Sequence, residues 1–310
     1  MKPDESSSKL WLLFALITTL FWGVWGALIE IPERAGFPAT LSYVVWSLTM
    51  IPPSLVALKL IGWKLDKAPR SILLGMSVGL LGAGGQLILF QTLSIAPAYL
   101  VYPLISLSPV VTIMMAFFFL GERTHTLGWF GILAAMIAIP LLSWSPPEGA
   151  GGIEGGLWLF PALLVFLAWG LQAFIIKFAN ETMQAENIFF YMMLSALLMA
   201  PAAWWMTDWS EPIHWGFSGP GAAALIQSLN AIGALFLVYA FRYGKAMIVS
   251  PLCNAVAPVI TIILSLAIYS VWPHPVPLTG MVLAILATFL LSVERDDPSE
   301  DAKPSSASSR

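Results

Sequence analysis

Ten stretches of the chain, about 10–29, 38–58, 71–93, 98–120, 126–143, 156–176, 187–206, 220–241, 246–272 and 276–293, contain no Asp, Glu, Lys or Arg at all. A helix needs roughly 20 apolar residues to cross the hydrocarbon of a bilayer, and most of these stretches have that length. A soluble fold is excluded on the same ground. Of the 310 residues 58% are hydrophobic and only 10% charged, where soluble domains carry about 25% charge. The chain is therefore expected to be an all-α integral membrane protein with ten transmembrane helices. The start, "MKPDESSSKLWLLFALITTLFWGVWG", has weakly charged flanks and too long an apolar run for a cleaved signal, so it reads as the first span.

Basic residues in short loops orient such a protein. With the amino terminus inside, 13 of the 14 Lys and Arg residues fall on the inner side and only Arg34 falls outside. Both termini are then cytoplasmic. Tryptophans agree, because their rings favour headgroup depth. Trp11, Trp63 and Trp129 come near the inner interface, and Trp144, Trp158, Trp204, Trp205, Trp209, Trp215 and Trp272 near the outer one. Trp22, Trp25, Trp46 and Trp169 come nearer mid-membrane and need another role. The last residues, "DDPSEDAKPSSASSR", are Ser-rich, charged and expected to be disordered.

The fourth and ninth stretches carry paired prolines: "YLVYPLISLSPVVTIMM" (99–115) and "MIVSPLCNAVAPVITII" (247–263). Each proline removes a helical hydrogen bond. Pro103 matches Pro251, and Pro109 matches Pro258 after one inserted residue; Thr112 then matches Thr261, Gly131 matches Gly280 and Ser143 matches Ser292. Upstream, "FWG" (21–23) matches "AWG" (168–170). The chain thus reads as a repeat, 10–143 and 156–293, with a cytoplasmic tail (1–9), an extracytoplasmic linker (144–155) and a second tail (294–310). Five spans per copy is an odd number, so the second copy enters the membrane inverted. Charge agrees: "SIAP" (94–97) has none, while "RYGK" (242–245) has two basic residues. Inverted repeats build many secondary transporters, with solute bound near the midplane where the repeats meet. Prolines there bend helices and free carbonyls around a hydrated cavity, so Pro103, Pro109, Pro251 and Pro258 are the helix-bending candidates.

The polar and aromatic residues of the spans supply the candidate cavity lining: Trp22, Trp25, Trp46, Gln86, Tyr99, Tyr102, Ser106, Trp169, Gln172, Asn230, Tyr239 and Asn254. Gln91, Gln227, Tyr43 and Ser250 belong to the same set of buried polar groups. Amides and hydroxyls also bridge membrane helices without touching any solute, and the "WG" pairs Trp22–Gly23 and Trp169–Gly170 also serve as packing motifs. Intramembrane carboxylates usually mark ion paths, yet no acid lies at mid-depth. Glu30, Glu122, Glu154 and Glu294 all fall at span ends, where interfacial solvation is the expected role. Glu30 and Glu122 are kept as candidates for ion coupling. Uncoupled or exchange-type transport of a neutral or zwitterionic solute is the expectation.

Other chemistries find no support. "GMSVG" (75–79) fits the nucleophile-elbow pattern, but it lies in an apolar helix without the strand–turn–helix context that catalysis needs. "GAGG" (82–85) follows no strand and reads as tight helix packing. The three histidines fall in loops on both sides, and the lone cysteine, Cys253, lies in an apolar stretch. No enzyme, metal site, cofactor or nucleic-acid partner is expected.

These residues together resemble the EamA-type branch of the drug/metabolite transporter superfamily. The resemblance rests on "FWG", on "APAYLVYPLISLSPVVTIMMAFFFLGER" across the fourth span and on "LGWFGILAAMIAI" after it, and the second half repeats the pattern. The second copy departs where "LGE" (120–122) gives way to "IYSVW" (268–272). The resemblance implies an inner-membrane transporter of small organic solutes, commonly an exporter of amino acids or other metabolites. It also implies a cavity enclosed by spans 1 to 4 and 6 to 9, with 5 and 10 peripheral. A sugar or nucleoside uptake permease of the same superfamily and a non-transporting membrane scaffold are the alternative readings.

Overall fold

The computed structural model describes residues 10–93, 101, 104–105, 107–142, 144, 158–269 and 274–292. Tyr99, Tyr102, Pro103 and Ser106 lie outside the described residues, as do both tails and most of the linker. In chain order the apolar helices are α1 (Leu10–Arg34), α2 (Ala39–Leu60), α3 (Pro69–Thr92), α4 (Pro109–Leu120), α5 (Thr126–Leu142), α6 (Leu159–Asn180), α7 (Ala185–Trp205), α8 (Phe217–Tyr243), α9 (Ala246–Tyr269) and α10 (Pro275–Ser292). Six of them, α1, α2, α3, α6, α7 and α8, are long and apolar enough to cross a membrane. Among the described residues there is no strand. Large apolar side chains face outward all round, Phe118, Phe119, Phe160 and Trp205 among them.

Irregular points follow from particular residues. In α2 the helix is interrupted at Met50, because Pro52 and Pro53 occupy the first turn of its second part, where a missing N–H costs least. In α4, Pro109 has no N–H to donate, and the chain around it tightens to i→i−3 bonds: Ser108 N–H to Ile105 at 3.0 Å and Val111 N–H to Ser108 at 3.0 Å. Its counterpart behaves differently. α9 runs without interruption through Pro251 and Pro258, although neither can donate to the carbonyl four residues back.

The end of α4 explains the "LGE" run. Residues Ala116–Leu120 widen into a π-helical turn, and Gly121 stops it in the left-handed region at φ 68°. A side chain there would be strained, whereas glycine adopts the conformation freely. The N–H of Glu122 then returns to the Ala116 carbonyl at 3.2 Å, closing the helix end.

Packing repeats the sequence symmetry. α1 packs on α8 and α9, and the equivalent α6 packs on α3 and α4. The pairs α2–α7, α4–α9 and α5–α10 each join equivalent helices of the two halves. Individual contacts match. Thr261 Oγ1 donates to the Gly23 carbonyl at 3.0 Å, and Thr112 Oγ1 donates to the Gly170 carbonyl at 3.0 Å. Gly23 abuts Ile260 and Gly170 abuts Val111, so each "WG" glycine admits a crossing helix from the other half. In lipid no hydrophobic drive exists between helices, and such close approach of small residues supplies the packing energy instead. α5 and α10 cross at Gly131 and Gly280, which meet Leu291 and Leu142 respectively. With α9 they form their own core of Ala135, Ala138, Ile139, Ala255, Ala284 and Ala287.

Candidate functional site

Between the two halves lies a cavity of about 330 Å³, at the lower end of the range usual for ligand pockets, roughly 300–1,000 Å³. Its walls come from α1, α2, α3, α6, α7, α8 and α9, with Ser108 from the turn that leads into α4; among the described residues none of α5 or α10 contributes. No lining residue among those described is Asp, Glu, Lys, Arg or His. Met50, Ile176 and Phe241 line one part of it and are each 1% exposed. The half-buried Trp25, Ile29 and Phe90 line another part.

The aromatic walls are locked by their indole N–H groups. Trp22 donates to the Asn230 carbonyl at 3.3 Å, and its repeat equivalent Trp169 donates to the Gly82 carbonyl at 3.4 Å. Trp25 donates to Gln227 Oε1 at 3.0 Å, and Trp46 to Asn230 Oδ1 at 2.8 Å. Tyr43 Oη donates to the Ala83 carbonyl at 3.4 Å. On the α9 side Asn254 Nδ2 donates to the Ser250 carbonyl at 2.9 Å, and Ser250 Oγ reaches Thr112 Oγ1 at 3.4 Å. Gln86 and Gln172 also line the cavity, and neither makes a hydrogen bond to another described residue.

Of the residues expected at a cavity from the sequence, the structure brings together Trp22, Trp25, Trp46, Gln86, Trp169, Gln172, Asn230 and Asn254, with Tyr43, Gln227 and Ser250 beside them. Tyr239 stands apart from this group. Its hydroxyl donates to Glu186 at 2.6 Å, and its ring stacks on Phe14 at 5.3 Å. Met50, Phe90, Ser108, Met192 and Phe241 also line the cavity. Sequence reasoning missed them: in a membrane protein an apolar side chain facing a cavity reads like one facing lipid, and the small Ser108 sits among apolar residues next to Pro109.

Neither acidic candidate touches the cavity. Glu30 is exposed and pairs with Arg34 at 2.7 Å, one helical turn away. Glu122 is 9% exposed, so interfacial solvation does not describe it. Its carboxylate caps α9, accepting the Ala246 and Met247 N–H groups at 2.9 Å each. That is the favourable position for a negative charge on a helix. Burial raises the affinity of this carboxyl for its proton above the usual range; the two backbone donors, Lys177 and Lys245 act in the opposite direction. Lys177 Nζ in turn donates to the Gly244 carbonyl at 2.8 Å, and Lys245 Nζ to the Arg123 carbonyl at 2.7 Å. The loop after α4 is thereby tied to the loop before α9. The first half thus clasps the second. A wider polar crevice of about 510 Å³, lined by Lys64, Asp66, Asn180, Glu181 and Arg242, lies among loops and opens broadly to solvent.

A helical bundle built twice over, with an uncharged aromatic cavity between its halves and apolar side chains outside, defines a multi-pass membrane protein of the transporter type. The model of the EamA-like transporter family matches residues 9–144 and 156–293. The chain belongs to that family, and with it to the membrane transporters of the drug/metabolite superfamily. No curated protein matches the chain in sequence. A solved crystal structure 17% identical to the chain superposes with a TM-score of 0.69 over 91% of this chain and 98% of its own, which shows a shared fold.

Proposed function

We propose that this chain is a secondary transporter that exports a small neutral or zwitterionic organic metabolite across the cytoplasmic membrane by alternating access. In this reading ten spans form two inverted repeats, 10–143 and 156–293, and both termini are cytoplasmic. The observation that carries it is the uncharged aromatic cavity between the halves, lined by the buried Met50, Ile176 and Phe241 and by the half-buried Trp25, Ile29 and Phe90. Because equivalent helices make equivalent contacts, each half can adopt the conformation of the other. That exchange would turn the cavity from one side of the membrane to the other. The basic-residue pattern supports a cytoplasmic position for the Ile176 and Phe241 ends of α6 and α8.

Purified protein in vesicles is expected to give saturable, solute-specific flux. The flux is expected to be the same with and without a pH gradient, since no acid lines the cavity among the described residues. Gradient-driven accumulation that disappears in Glu30→Gln would overturn the uncoupled mechanism. An epitope placed within 144–155 is expected outside the cell; cytoplasmic labelling would end the inverted-repeat topology.

Trp169→Ala is expected to reduce flux at least severalfold more than Trp158→Ala. Trp169 lines the cavity, whereas Trp158 packs beside Leu89, Ala162 and Val165 away from it. Equal losses in the two variants would remove the cavity from the transport path.

A further inference from the structure

Near-symmetric walls make their differences informative. Trp25 in α1 corresponds to Gln172 in α6, and Asn230 and Gln227 in α8 correspond to Gly82 and Gly79 in α3. On the α1–α8 side the amide oxygens are taken: Gln227 Oε1 by Trp25, Asn230 Oδ1 by Trp46. On the α3–α6 side no tryptophan reaches the amides. Gln172 lies over Gly82, whose missing side chain makes room for the carboxamide. Gln86 follows Gly82 one turn along α3 and lines the same cavity. Both ends of both carboxamides are without partners among the described residues.

All four lining indoles spend their only polar group on the protein. They can therefore offer a solute nothing but ring faces and apolar edges. Asn230, Gln227 and Asn254 each keep one amide atom open and spend the other, whereas Gln86 and Gln172 alone among the described lining amides keep a whole carboxamide, a carbonyl acceptor beside an amino donor. The complement of a carboxamide is an N–H beside a C=O. A net charge is disfavoured, because no described lining residue supplies a counter-charge.

We propose that the cavity selects neutral, planar solutes carrying a lactam-type edge, with Gln86 and Gln172 reading the edge and Trp22, Trp25 and Trp46 covering the ring. The inference deepens the transporter reading and rests on it only in taking this cavity as the solute site. Gln86 and Gln172 are specificity-determining residues: a solute that displaces water from the cavity but lacks the edge leaves these two half-buried amides unpaired.

The test uses full-length purified protein and three bicyclic probes in isothermal titration calorimetry: carbostyril (the lactam of quinoline), its O-methyl ether and N-methylquinolinium. Carbostyril is expected to bind about tenfold or more tightly than the ether, which has lost the N–H. The cation is expected to bind weakest. Gln86→Met and Gln172→Met keep the side-chain length and should each bring carbostyril down to the level of the ether, with thermal midpoints confirming that both variants fold. Equal binding of lactam and ether, tightest binding of the cation, or a preference that survives in both variants would refute the assignment. Vesicle flux separates the two readings. Lactam-selective binding without flux leaves the inference standing and removes the transporter; flux indifferent to the edge does the reverse.

Discussion

Replacing Glu122 by alanine is expected to lower the apparent Tm of the purified protein by roughly 5–10 °C, a large effect for one polar side chain. Two backbone donors at the start of α9, each at 2.9 Å from the carboxylate, lose their acceptor in a buried place. Loss of such charge-assisted bonds costs on the order of 3 kcal/mol. Lys177 and Lys245 lose their neighbouring negative charge as well. Glu122→Gln retains one acceptor oxygen and should lie between wild type and Glu122→Ala in a thermal melt. A midpoint for Glu122→Ala equal to that of the wild type would show that the clasp between the halves contributes nothing.

The same residue gives a pH dependence of definite sign. Burial raises its pKa above the ordinary 4.5, so the folded protein holds the proton more tightly than the unfolded chain does. The stabilisation from that proton is complete below 4.5 and is lost as pH rises through the raised folded value. The Tm of wild type minus that of Glu122→Gln should therefore fall as pH increases from below 4.5. A difference that grows with pH would mean that the cap and the lysines outweigh burial.

Gly170→Ala should be nearly as damaging, by a different route. An added Cβ would stand 2.5 Å from Val111 Cβ and 2.6 Å from the Ser108 carbonyl oxygen. One of those neighbours is backbone, so α4 and α6 must move apart. Overpacking of this kind costs about 1–3 kcal/mol, and vesicle flux should collapse with it, because Ser108 and Trp169 border the cavity at this crossing. Gly23→Ala meets Ile260 and the Ala257 carbonyl in the same way. Gly84 is the control: nothing lies within 4 Å of its added Cβ, and alanine there should be neutral or gain about 0.5–1 kcal/mol of helix stability. Thermal melts of the three variants decide the matter. Indistinguishable midpoints for Gly170→Ala and Gly84→Ala would contradict the close crossing.

Much of the architecture was legible because lipid enforces it. Backbone groups in hydrocarbon must bond within their own helix, so uncharged stretches of spanning length declare themselves as helices. The repeat was legible through residues that cannot be exchanged freely, such as the prolines and the "WG" glycines. The structure adds what two of those residues do: Gly23 and Gly170 take the crossing helix while Trp22 and Trp169 face across to α8 and α3. Less legible was the difference between the proline helices, since both sequences carry the same defect. Neighbours decide whether the backbone absorbs it locally, as at Pro109, or lets the helix continue, as at Pro251 and Pro258.

Polar candidates in the spans were also readable, since a buried amide or indole in lipid needs a reason. Their distribution was not. Nothing in sequence distinguishes Tyr239, bonded to Glu186, from Tyr43 at the cavity wall. Glu122 reads as an interfacial acid because its sequence neighbours are polar, yet its partners come from residues more than a hundred positions away.

By itself the sequence determined that this chain lives in a membrane, is helical and is written twice, because charge, length and repetition are local properties that hydrocarbon reads directly. Tertiary structure alone decided which amides are spent on tryptophans and which stay open to a solute, where the cavity lies, and how one half clasps the other. Those are matters of which side chains meet across hundreds of residues, and only the packed arrangement of the helices specifies them.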